Sequence, residues 1–580
     1  MKTGFRSHTS AQICLDLIGQ EVTVCGWVHN VRDLGGLVFI DLRDHYGIIQ
    51  VVSDEATLTS SFRNLKKESV VQIKGVVQKK VGEENTEIKA TSLRLLSESA
   101  ELPFSVNQET DVSEQIRLQY RFLHLRRQKQ HQQITKRSYL IKLIRDILFE
   151  RKFLEIQTPI LTGTSPEGAR DFLVPSRRFK GKFYALPQAP QQFKQLLMMS
   201  GFDRYFQIAP CFRDEDPRAD RHAGEFYQID AEMAFVTQED VLQEFESFFV
   251  ELLTRFGVSK IVSEPFYRMS FDETIVKTGS DKPDLRCAVF YTNMSNFEDL
   301  ITVDSLSSKG NDQEFLACLK FSLQVYPTRK ILDQIVELGR QLGFSVFYLL
   351  QEGENFKGTL AKFIRQEFLE ILKETNTAFA RSNITLYVFL KRKLQLEPTA
   401  EEFRIKVAKI LNQFDENKLA FCWITDFPFY ELDEFGNLQF CHNPFSMPQG
   451  GLEALKSQDP LKIKAFQYDL ALNGFELSSG AIRNHELETL LTAFELIGYP
   501  REKTLKTFPG ITNALRFGPP PHGGMAPGIE RLLMILFDEP NVREVIPFPL
   551  NQNGQDLLMN APSEVDDDRL QELGLRLAGN

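Results

Sequence analysis

The chain has 580 residues, of which 42% are hydrophobic and 25% charged, and its formal net charge is −10. This length is too great for one hydrophobic core and predicts about three or four globular domains. The sequence contains no run of 18 apolar residues and no apolar core near its N-terminus, so we expect no membrane span and no signal peptide. Seven cysteines without a Cys-x-x-Cys pair indicate a reducing compartment, which we expect to be the cytoplasm.

Residues 20–95 show short apolar or alternating segments separated by turns, a pattern typical of β-strands. Strands of this number and length suit a small closed barrel of the OB type, and such barrels bind single-stranded nucleic acid on one face. A polar stretch from Pro103 to Glu114 then indicates a linker. The predicted strands are Glu21–Val28, Leu37–Leu42, Ile48–Val52, Val70–Val77 and Glu87–Leu95.

The region after the linker is strongly basic. From Gln115 to Arg145 there are nine Lys or Arg residues and no Asp or Glu. This run fits either a solvated helix face or a surface on which an RNA backbone could rest. The net charge of −10 argues weakly against nucleic-acid binding, but residues 1–100 are neutral, with 12 basic and 12 acidic side chains.

A charged segment lies between two apolar stretches further along the chain. We predict a helix over residues 130–150, followed by strands from Tyr205 to Arg213 and from Phe226 to Phe235 that a charged loop joins. Such a hairpin can hold an arginine against a phosphate while a neighbouring carboxylate fixes the guanidinium. Taken alone, the same pattern would fit a surface hairpin with ion pairs.

Three segments of the chain carry a resemblance to a known family. They are Phe153-Leu-Glu-Ile-Gln-Thr-Pro159, Phe212-Arg-Asp-Glu215 and Gly524-Met-Ala-Pro-Gly528-Ile-Glu-Arg531. In this order they resemble motifs 1, 2 and 3 of the class II aminoacyl-tRNA synthetases, and of the bacterial aspartyl-tRNA synthetases in particular. In the third motif, a glycine is expected to let strand and helix approach, with the arginine one turn into the helix. Between the motifs, Pro166-Glu-Gly-Ala-Arg-Asp171 and the Gln191/Lys194 pair also agree, so the resemblance covers nearly the whole chain.

The resemblance implies an α+β multidomain fold with an N-terminal OB-type β-barrel, a class II antiparallel sheet with helices, and an inserted α/β domain. Helical patterns at Thr328–Leu342 and Leu360–Lys373, without motif chemistry, agree with an insertion. The expected domains are 1–103 for the anticodon-binding barrel, 104–129 for a hinge, 130–284 for the first catalytic part, 285–416 for the inserted domain, and 417–580 for the second catalytic part with a C-terminal extension.

The implied activity is ATP-dependent ligation of L-aspartate to tRNA through aspartyl-AMP. Because the substrate carboxylate is the nucleophile, such an enzyme has to hold two anions in line and stabilise the charge at phosphorus. By resemblance the catalytic residues are Arg213, at the α-phosphate of ATP, and Arg531, at the γ-phosphate. Glu215 would accept a hydrogen bond from the adenine amino group, and Phe226 would stack on the adenine ring.

The resemblance also implies Mg²⁺, with Asp469 and Glu476 as its carboxylate ligands and Glu476 as an ATP-binding residue. Oxygen ligands from two side chains suit a hard cation that keeps waters and shares phosphate oxygens. Outside the motif context, Asp469 could equally be a charge on a helix surface.

Specificity for aspartate requires positive charge where the side-chain carboxylate binds. Lys194 and Arg483 match the family positions for this task, and two buried cations should reject asparagine, whose neutral amide leaves them uncompensated. Without the motifs, Lys194 is only a lysine on an amphipathic helix. The aspartate-binding residues implied by resemblance are Glu167, Gln191 and Asp230 for the ammonium group, Lys194 and Arg483 for the side chain, and His442 on a mobile loop.

Some positions depart from the family pattern. The family commonly has a second histidine where this chain has Asn443 and a serine where it has Ala189. These departures concern loop closure and acceptor-stem contacts and remove no charge from the reaction centre. The other departures are the longer motif 2 loop at His222-Ala-Gly-Glu225, Pro547, and Leu550-Asn551.

For the barrel, the resemblance implies anticodon binding by Arg32, Phe39, Gln50 and Glu87. Phe39 can stack on a base, although its apolar neighbours make core packing an open alternative. The implied partners are L-aspartate and tRNA-Asp, with tRNA-Asn left open, and a second copy of the chain in a homodimer through the motif 1 helix.

Two other functions compete with this one. An asparaginyl- or lysyl-tRNA synthetase of the same subclass is disfavoured by Lys194 and Arg483, because neither substrate has an anionic side chain. A catalytically inactive RNA-binding relative would be expected to have lost Arg213, Arg531 or Glu476, and all three are present.

Overall fold

The computed structural model describes residues 2–578 apart from 81–82, 109, 165–168, 217, 221–223, 263, 309–310, 312 and 375–383. Within the described residues, no helix combines the length and the apolar content that a membrane crossing requires. The chain forms two compact units. The barrel unit comprises Met1–Ile134, Pro547–Asn551 and Gln555–Ser563, and the large unit comprises Thr135–Ile546, Gln552–Gly554 and Glu564–Asn580.

The barrel unit contains the five predicted strands. Its elements are β1 (Glu21–Asp33), β2 (Val38–Arg43), β3 (Ile48–Ser53), α1 (Ala56–Arg63), β4 (Val70–Lys79), β5 (Thr86–Ser97), α2 (Glu114–Gln119) and α3 (Arg121–His124). The strands close in the order β1-β2-β3-β5-β4, which confirms the OB-type barrel. Along β2, Val38, Ile40 and Leu42 enter the core, so Phe39 faces outward and is partly exposed. The helix α1 was not predicted, and its Phe62 side chain is buried in the barrel core.

Part of the basic run has a structural role that the sequence analysis did not anticipate. Arg121 is buried and its Nε donates to the carbonyl of Pro547 at 2.9 Å. Arg127 is also buried, and its Nη2 donates to the carbonyl of Ser105 at 2.8 Å. The run is therefore not a uniformly solvated helix face, because these guanidinium groups bind the protein's own backbone.

The large unit begins within the predicted long helix α4 (Gln128–Glu150), whose first residues, up to Ile134, belong to the barrel unit. The elements of its first part are α4, β6 (Leu154–Glu155), β7 (Leu173–Pro175), β8 (Phe183–Ala185), α5 (Gln191–Met199), β9 (Arg204–Arg213), β10 (Gly224–Ala234), α6 (Gln238–Phe256), β11 (Ile261–Val262), β12 (Tyr267–Ser270) and α7 (Phe271–Thr278). The predicted hairpin is present as the antiparallel pair β9 and β10.

A separate sheet follows in the region where we expected an insertion. Its elements are β13 (Tyr291–Asn293), β14 (Glu314–Leu323), α8 (Arg329–Gln341), β15 (Phe347–Glu352), β16 (Asn355–Lys357), α9 (Gln366–Glu374), β17 (Ile384–Lys393) and α10 (Pro398–Ile410), and the strand order is β13-β14-β17-β15-β16. The helix predicted from Leu360 begins only at Gln366. Residues 360–365 are not helical. Leu360 is buried in the core of this region, and the backbone N–H of Arg365 donates to the carbonyl of Leu300 at 2.9 Å.

The remaining elements include the other four strands of the central sheet. These elements are β18 (Lys418–Leu419), β19 (Phe421–Thr425), β20 (Tyr430–Leu432), β21 (Leu438–Phe440), α11 (Gly451–Ser457), β22 (Gln467–Leu472), β23 (Phe475–Ile482), α12 (Leu487–Leu496), α13 (Arg501–Thr507), α14 (Pro509–Ala514), β24 (His522–Met525), α15 (Ile529–Leu536) and α16 (Asp567–Leu573). The central sheet has eight strands in the order β12-β19-β22-β23-β24-β10-β9-β6, and the four strands from this part of the chain are β19, β22, β23 and β24. It is antiparallel as expected, except that β12 pairs with β19 and β6 with β9 in parallel at its two edges.

One face of the central sheet carries the main core. Apolar side chains of α4, α6 and α15 form a single cluster with residues of the strands. On β10, Ile229, Ala231 and Met233 enter this cluster, so the alternation of the strand places Asp230 and Glu232 on the opposite face. That opposite face holds the polar site.

Candidate active site

A cavity of about 490 Å³ is lined by residues of the polar sheet face, α5 and α15. Gln191 and Lys194 lie one turn apart on α5, and both side chains are buried. Lys194 Nζ is 2.8 Å from Asp230 Oδ2 and 3.5 Å from Glu232 Oε2. Lys194 lies on a helix, as the pattern predicted, but its side chain is buried and its ammonium group lines the cavity.

Arg483 completes a buried group of charges at the base of the cavity. Its Nε and Nη2 donate to Glu232 at 2.8 and 3.2 Å, a bidentate arrangement. With Lys194 and Asp230 the group has two positive and two negative charges, so it is neutral without a ligand. Burial would raise the pKa of Glu232, but Arg483 and then Lys194 outweigh burial and lower it. Burial raises the pKa of Asp230, and Lys194 offsets this rise only in part.

Two polar atoms beside this group lack partners. Gln191 Nε2 and Asp230 Oδ1 are buried and have no hydrogen-bond partner among the described residues. A buried polar atom left unpaired costs free energy, about 1–3 kcal/mol, unless a ligand or water satisfies it. Both residues line the cavity, so these atoms are available to a polar ligand.

Gly524, in the third motif, permits the close packing that closes the base of the cavity. A Cβ at this position would lie 2.0 Å from the carbonyl oxygen of Ala231 and 2.5 Å from Glu232 Oε2, which no side chain tolerates. We expected a motif 3 glycine to bring strand and helix together. The structure shows instead that Gly524 brings two strands together, because β24 lies directly against β10.

The other end of the cavity carries the motif arginines. The guanidinium group of Arg213 lies 5.0 Å from the centre of the Phe226 ring. Arg531 lies in the first turn of α15, and its Nε donates to the carbonyl of Asp220 at 3.3 Å. Arg531 Nη1 also donates to the carbonyl of Glu476. Glu215, Phe226, Glu476 and both arginines line the cavity, so the five residues predicted to bind ATP face one space.

Asp469 and Glu476 lie on the hairpin of β22 and β23. The strands connect through Asn473-Gly474, a dipeptide that favours a tight two-residue turn. Ala471 pairs with Glu476, so Asp469, two residues before Ala471, shares its face of the hairpin. The interpretation of Asp469 as a helix-surface charge is wrong, since it is a buried strand residue. Burial and the neighbouring Glu476 carboxylate raise the pKa of Asp469 to about 7.

The remaining predicted residues have different outcomes. His442 lies between β21 and α11 with its ring 5.1 Å from that of Phe427, and it lines the cavity beside Asn443. Ala189, which replaces the family serine, also lines the cavity. Glu167 lies outside the described residues, as does His222 of the motif 2 loop.

Among the described residues, four charged side chains at this site were not predicted: Asp220, Lys282 and Glu530, which line the cavity, and Glu232, which pairs with two lining residues. Glu232 could have been found, because it is two residues beyond Asp230 on one strand and therefore on the same face. Asp220 belongs to the charged loop, but nothing in the sequence connects it to Arg531. Lys282 follows α7 and lines the cavity, with its Nζ 3.5 Å from Glu476 Oε2, and it lies in no motif.

The barrel unit has its own groove of about 530 Å³, which we call the barrel groove, and its lining includes Arg32, Phe39, Gln50 and Glu87. Arg32 Nη2 donates to Gln50 Oε1 at 3.2 Å, and Gln50 Nε2 donates to Glu87 Oε2 at 2.7 Å. The guanidinium group of Arg32 lies 5.8 Å from the centre of the Phe39 ring. Because Phe39 faces this groove and not the core, the core-packing alternative does not describe it.

Comparison with known proteins identifies the family. The model of class II tRNA synthetases specific for D, K and N matches residues 113–552, and that of OB-fold nucleic acid binding domains matches residues 22–96. A Streptomyces griseus aspartate–tRNA ligase is 47% identical over 99% of this chain and 96% of its own length. The chain belongs to the aspartate–tRNA ligase family of class II synthetases.

Other relatives carry a broader name. An aspartate–tRNA(Asp/Asn) ligase of Pelagibacter ubique is 45% identical, with 99% of each chain covered. Among solved structures, the aspartyl-tRNA synthetase of Entamoeba histolytica superposes with a TM-score of 0.57 at 20% identity, covering 94% of this chain and 92% of that one. The asparaginyl-tRNA synthetase of Pyrococcus horikoshii with asparaginyl-adenylate gives 0.59 at 18% identity, covering 93% and 97%. At these identities the structural matches establish the fold.

Proposed function

We infer that this chain ligates L-aspartate to tRNA in two steps, of which the first consumes ATP. First the substrate α-carboxylate attacks the α-phosphorus of ATP, forming aspartyl-AMP and releasing pyrophosphate. Then a hydroxyl group at the tRNA 3′ end attacks the aspartyl carbonyl and AMP leaves. The observation that carries this inference is the placement of buried Lys194 and Arg483 in the same cavity as Arg213 and Arg531.

The base of the cavity suits an amino acid with an anionic side chain. Lys194 and Arg483 would bind the side-chain carboxylate, while Asp230 Oδ1 and Gln191 would hold the other polar groups of the amino acid, together with Glu167 at its ammonium group. The unpaired Asp230 Oδ1 supports this placement, because an ammonium group would satisfy it. His442, at the cavity lining, would contact the substrate from its loop.

The other end of the cavity suits ATP. Arg213 would bind the α-phosphate and Arg531 the γ-phosphate, so that charge developing on the phosphorus oxygens and the leaving pyrophosphate meets fixed cations. Glu215 would accept from the adenine amino group, and Phe226 would stack on the ring. In the ligand-free site the Phe226 ring face is partly covered by Arg213, which would have to move toward the phosphate when adenine binds.

The carboxylates of Asp469 and Glu476 fit a magnesium ion. They share one face of a hairpin in a cavity that also holds the phosphate-binding arginines, and a hard divalent cation prefers such oxygen ligands. Burial first and then the Glu476 carboxylate raise the pKa of Asp469, and a divalent cation would stabilise both carboxylates in their ionised forms. When bound, Mg²⁺ would neutralise phosphate charge during the transfer.

The barrel groove suits a nucleic-acid partner. Phe39 offers a ring for base stacking, and Gln50 and Glu87 offer hydrogen-bonding groups, so we propose that the groove reads the anticodon of tRNA-Asp. The names of the relatives include both aspartate–tRNA and aspartate–tRNA(Asp/Asn) ligases. Charging purified tRNA-Asp and tRNA-Asn in parallel would determine which name applies to this chain.

We also propose a homodimer in the cytoplasm and keep the domain boundaries of the sequence analysis as predictions. Apolar side chains are exposed on α4 and in and just after motif 1. A second copy of the chain would cover these side chains. All seven cysteines are free, as a reducing compartment would leave them. The exposed apolar residues are Tyr139, Phe149, Leu154, Ile160 and Leu161.

The amino acid-dependent exchange of pyrophosphate into ATP tests this proposal. We expect exchange with aspartate and none above background with asparagine or lysine, because only aspartate has a side-chain carboxylate that can accept from both Lys194 and Arg483. Exchange that depends on asparagine or lysine instead would overturn the proposed specificity. Absence of exchange with all three amino acids, in a protein with a normal melting transition, would overturn the activity itself.

A further inference from the structure

Lys282 is a cation in the catalytic cavity to which neither the motifs nor the sequence analysis gives a role. Its Nζ is 3.5 Å from Glu476 Oε2 and also contacts the carboxylate of Asp281. About a quarter of its side chain is exposed, so the ammonium group can leave these partners without crossing packed protein. It therefore occupies the place beside the hairpin carboxylates where a divalent cation would be expected.

The backbone around Lys282 is held in a fixed turn. Gly279 ends α7 in the left-handed region at φ 89°, and a Cβ there would lie 2.7 Å from Arg392 Nη2 and 2.9 Å from the carbonyl oxygen of Glu397. Lys282 N then donates to Ser280 Oγ at 3.0 Å. The inserted region thus begins its contact with this segment three residues before Lys282.

A second contact with the inserted region follows directly. Asp284 N donates to Glu401 Oε1 at 2.8 Å, and the Asp284 carbonyl accepts from Arg404 Nη2 at 2.8 Å. The Arg404 side chain is fully buried and also donates to both carboxylate oxygens of Glu401, at 2.6 and 2.7 Å. Since Glu401 and Arg404 lie on α10, this helix of the insertion fixes the chain on the C-terminal side of Lys282.

The same segment packs on the hairpin that carries the carboxylates. A Cβ at Gly474, in the hairpin turn, would lie 3.3 Å from Asp284 Cβ. This packing keeps Lys282 close to Glu476 and at the lining of the cavity. A divalent cation on Asp469 and Glu476 would repel the ammonium group of Lys282, whereas the phosphates of ATP would attract it.

We propose that Lys282, positioned by the inserted region, pairs with Glu476 of the hairpin and moves to the phosphates of ATP when a divalent cation binds beside Asp469 and Glu476. The inference rests on the proposed function for the identity of the nucleotide. It gives the inserted region a role in the active site, namely to hold the turn that carries a phosphate-binding cation.

Equilibrium binding to Lys282→Met tests the proposal without turnover. Lys456→Met, at an exposed lysine of α11, is the matched control. We expect Lys282→Met to bind a magnesium complex of a non-hydrolysable ATP analogue at least about tenfold more weakly, because one phosphate contact is lost. In the absence of nucleotide it should bind Mn²⁺ several-fold more tightly than the control, because the carboxylates have lost their competing cation.

Two results would overturn the proposal. One is unchanged affinity for the nucleotide analogue, and the other is unchanged or weaker Mn²⁺ binding by a variant that melts like the control. A lowered melting temperature with neither affinity changed would assign Lys282 a purely structural role. Because wild-type exchange with aspartate is measured separately, failure of the proposed function and failure of this inference give different results.

A pair of neighbouring residues on α10 tests the role of the inserted region. Glu401→Gln weakens the clamp on Asp284, whereas Glu402→Gln removes only an exposed ion pair with Lys406. We expect Glu401→Gln to weaken binding of the analogue, by less than Lys282→Met does, and Glu402→Gln to leave it unchanged. Equal affinities for both variants and wild type, with the inserted region folded, would show that α10 does not position Lys282.

Discussion

The catalytic cavity, which holds Lys194 and Arg483, and the barrel groove hold charges in opposite ways. In the catalytic cavity, the side chains of Lys194, Glu232 and Arg483 are at most 3% exposed and compensate one another. In the barrel groove, Arg32 is 49% exposed and its partner Asp41 is 22% exposed. Buried charges are fixed and costly to leave unpaired, whereas exposed pairs rearrange at little cost. The buried charges of the catalytic cavity suit a small anionic substrate, and the exposed charges of the barrel groove suit a large ligand that carries charges of its own.

The largest effect is expected at the phosphate end of the catalytic cavity. Arg531→Ala should abolish aspartate-dependent pyrophosphate exchange, a loss of about 3 kcal/mol or more by analogy with removing one oxyanion donor. Its tRNA affinity should remain, because the barrel groove is unchanged. The control is Arg516→Ala at an exposed arginine, and near-normal exchange in Arg531→Ala would refute the motif 3 assignment.

A smaller and more selective effect is expected at the base of the cavity. Lys194→Leu removes a charge that pairs with Asp230 and Glu232 and that we assign to the amino-acid side chain and not to ATP, so the KM for aspartate should rise far more than the KM for ATP. Truncating one member of a buried charge pair costs roughly 2–5 kcal/mol, which corresponds to about thirtyfold or more. Lys142→Leu, at an exposed lysine of α4, is the control. Equal changes for both substrates would mean that Lys194 is structural or binds phosphate.

The smallest effect is expected in the barrel groove. Phe39→Ala removes a stacking surface of about 1–3 kcal/mol per base, so kcat/KM for tRNA should fall by roughly one to two decades. Exchange should not change, and neither should the melting temperature of the barrel, because Phe39 lies outside the core. Phe5→Ala, at an exposed phenylalanine of the same unit, is the control. A stable variant that charges tRNA normally would exclude Phe39 from the tRNA site.

The same two regions show what sequence can predict. The barrel strands follow from local alternation, and that alternation also decides the orientation of Phe39, since Val38 and Ile40 on either side of it are both core residues. The cavity residues Lys194, Arg213 and Arg531 are far apart in sequence, and their meeting was expected only because their motifs resemble a family. Local pattern alone would also fit a surface hairpin at Arg213 and an ordinary amphipathic helix at Lys194.

What the sequence did not predict depends on contacts between distant segments. The ion pair of Arg483 with Glu232 follows from the β24 strand that lies between β23 and β10. Lys282 reaches the cavity because α10, more than a hundred residues later, fixes its turn. The five-stranded sheet pairs β14 with β17, although two strands and two helices separate them in the chain. We expected an α/β domain there by resemblance, but the sequence pattern located only two of its helices.

The central claim is that amino-acid activation and tRNA recognition reside in separate cavities. The most direct test measures pyrophosphate exchange and tRNA binding on the same preparations of Lys194→Leu and Phe39→Ala. The account predicts that Lys194→Leu loses exchange at low aspartate while its Kd for tRNA stays at the wild-type value. It predicts that Phe39→Ala binds tRNA more weakly but keeps the wild-type rate of pyrophosphate exchange. If both variants lost both properties in parallel while remaining folded, the separation would be contradicted.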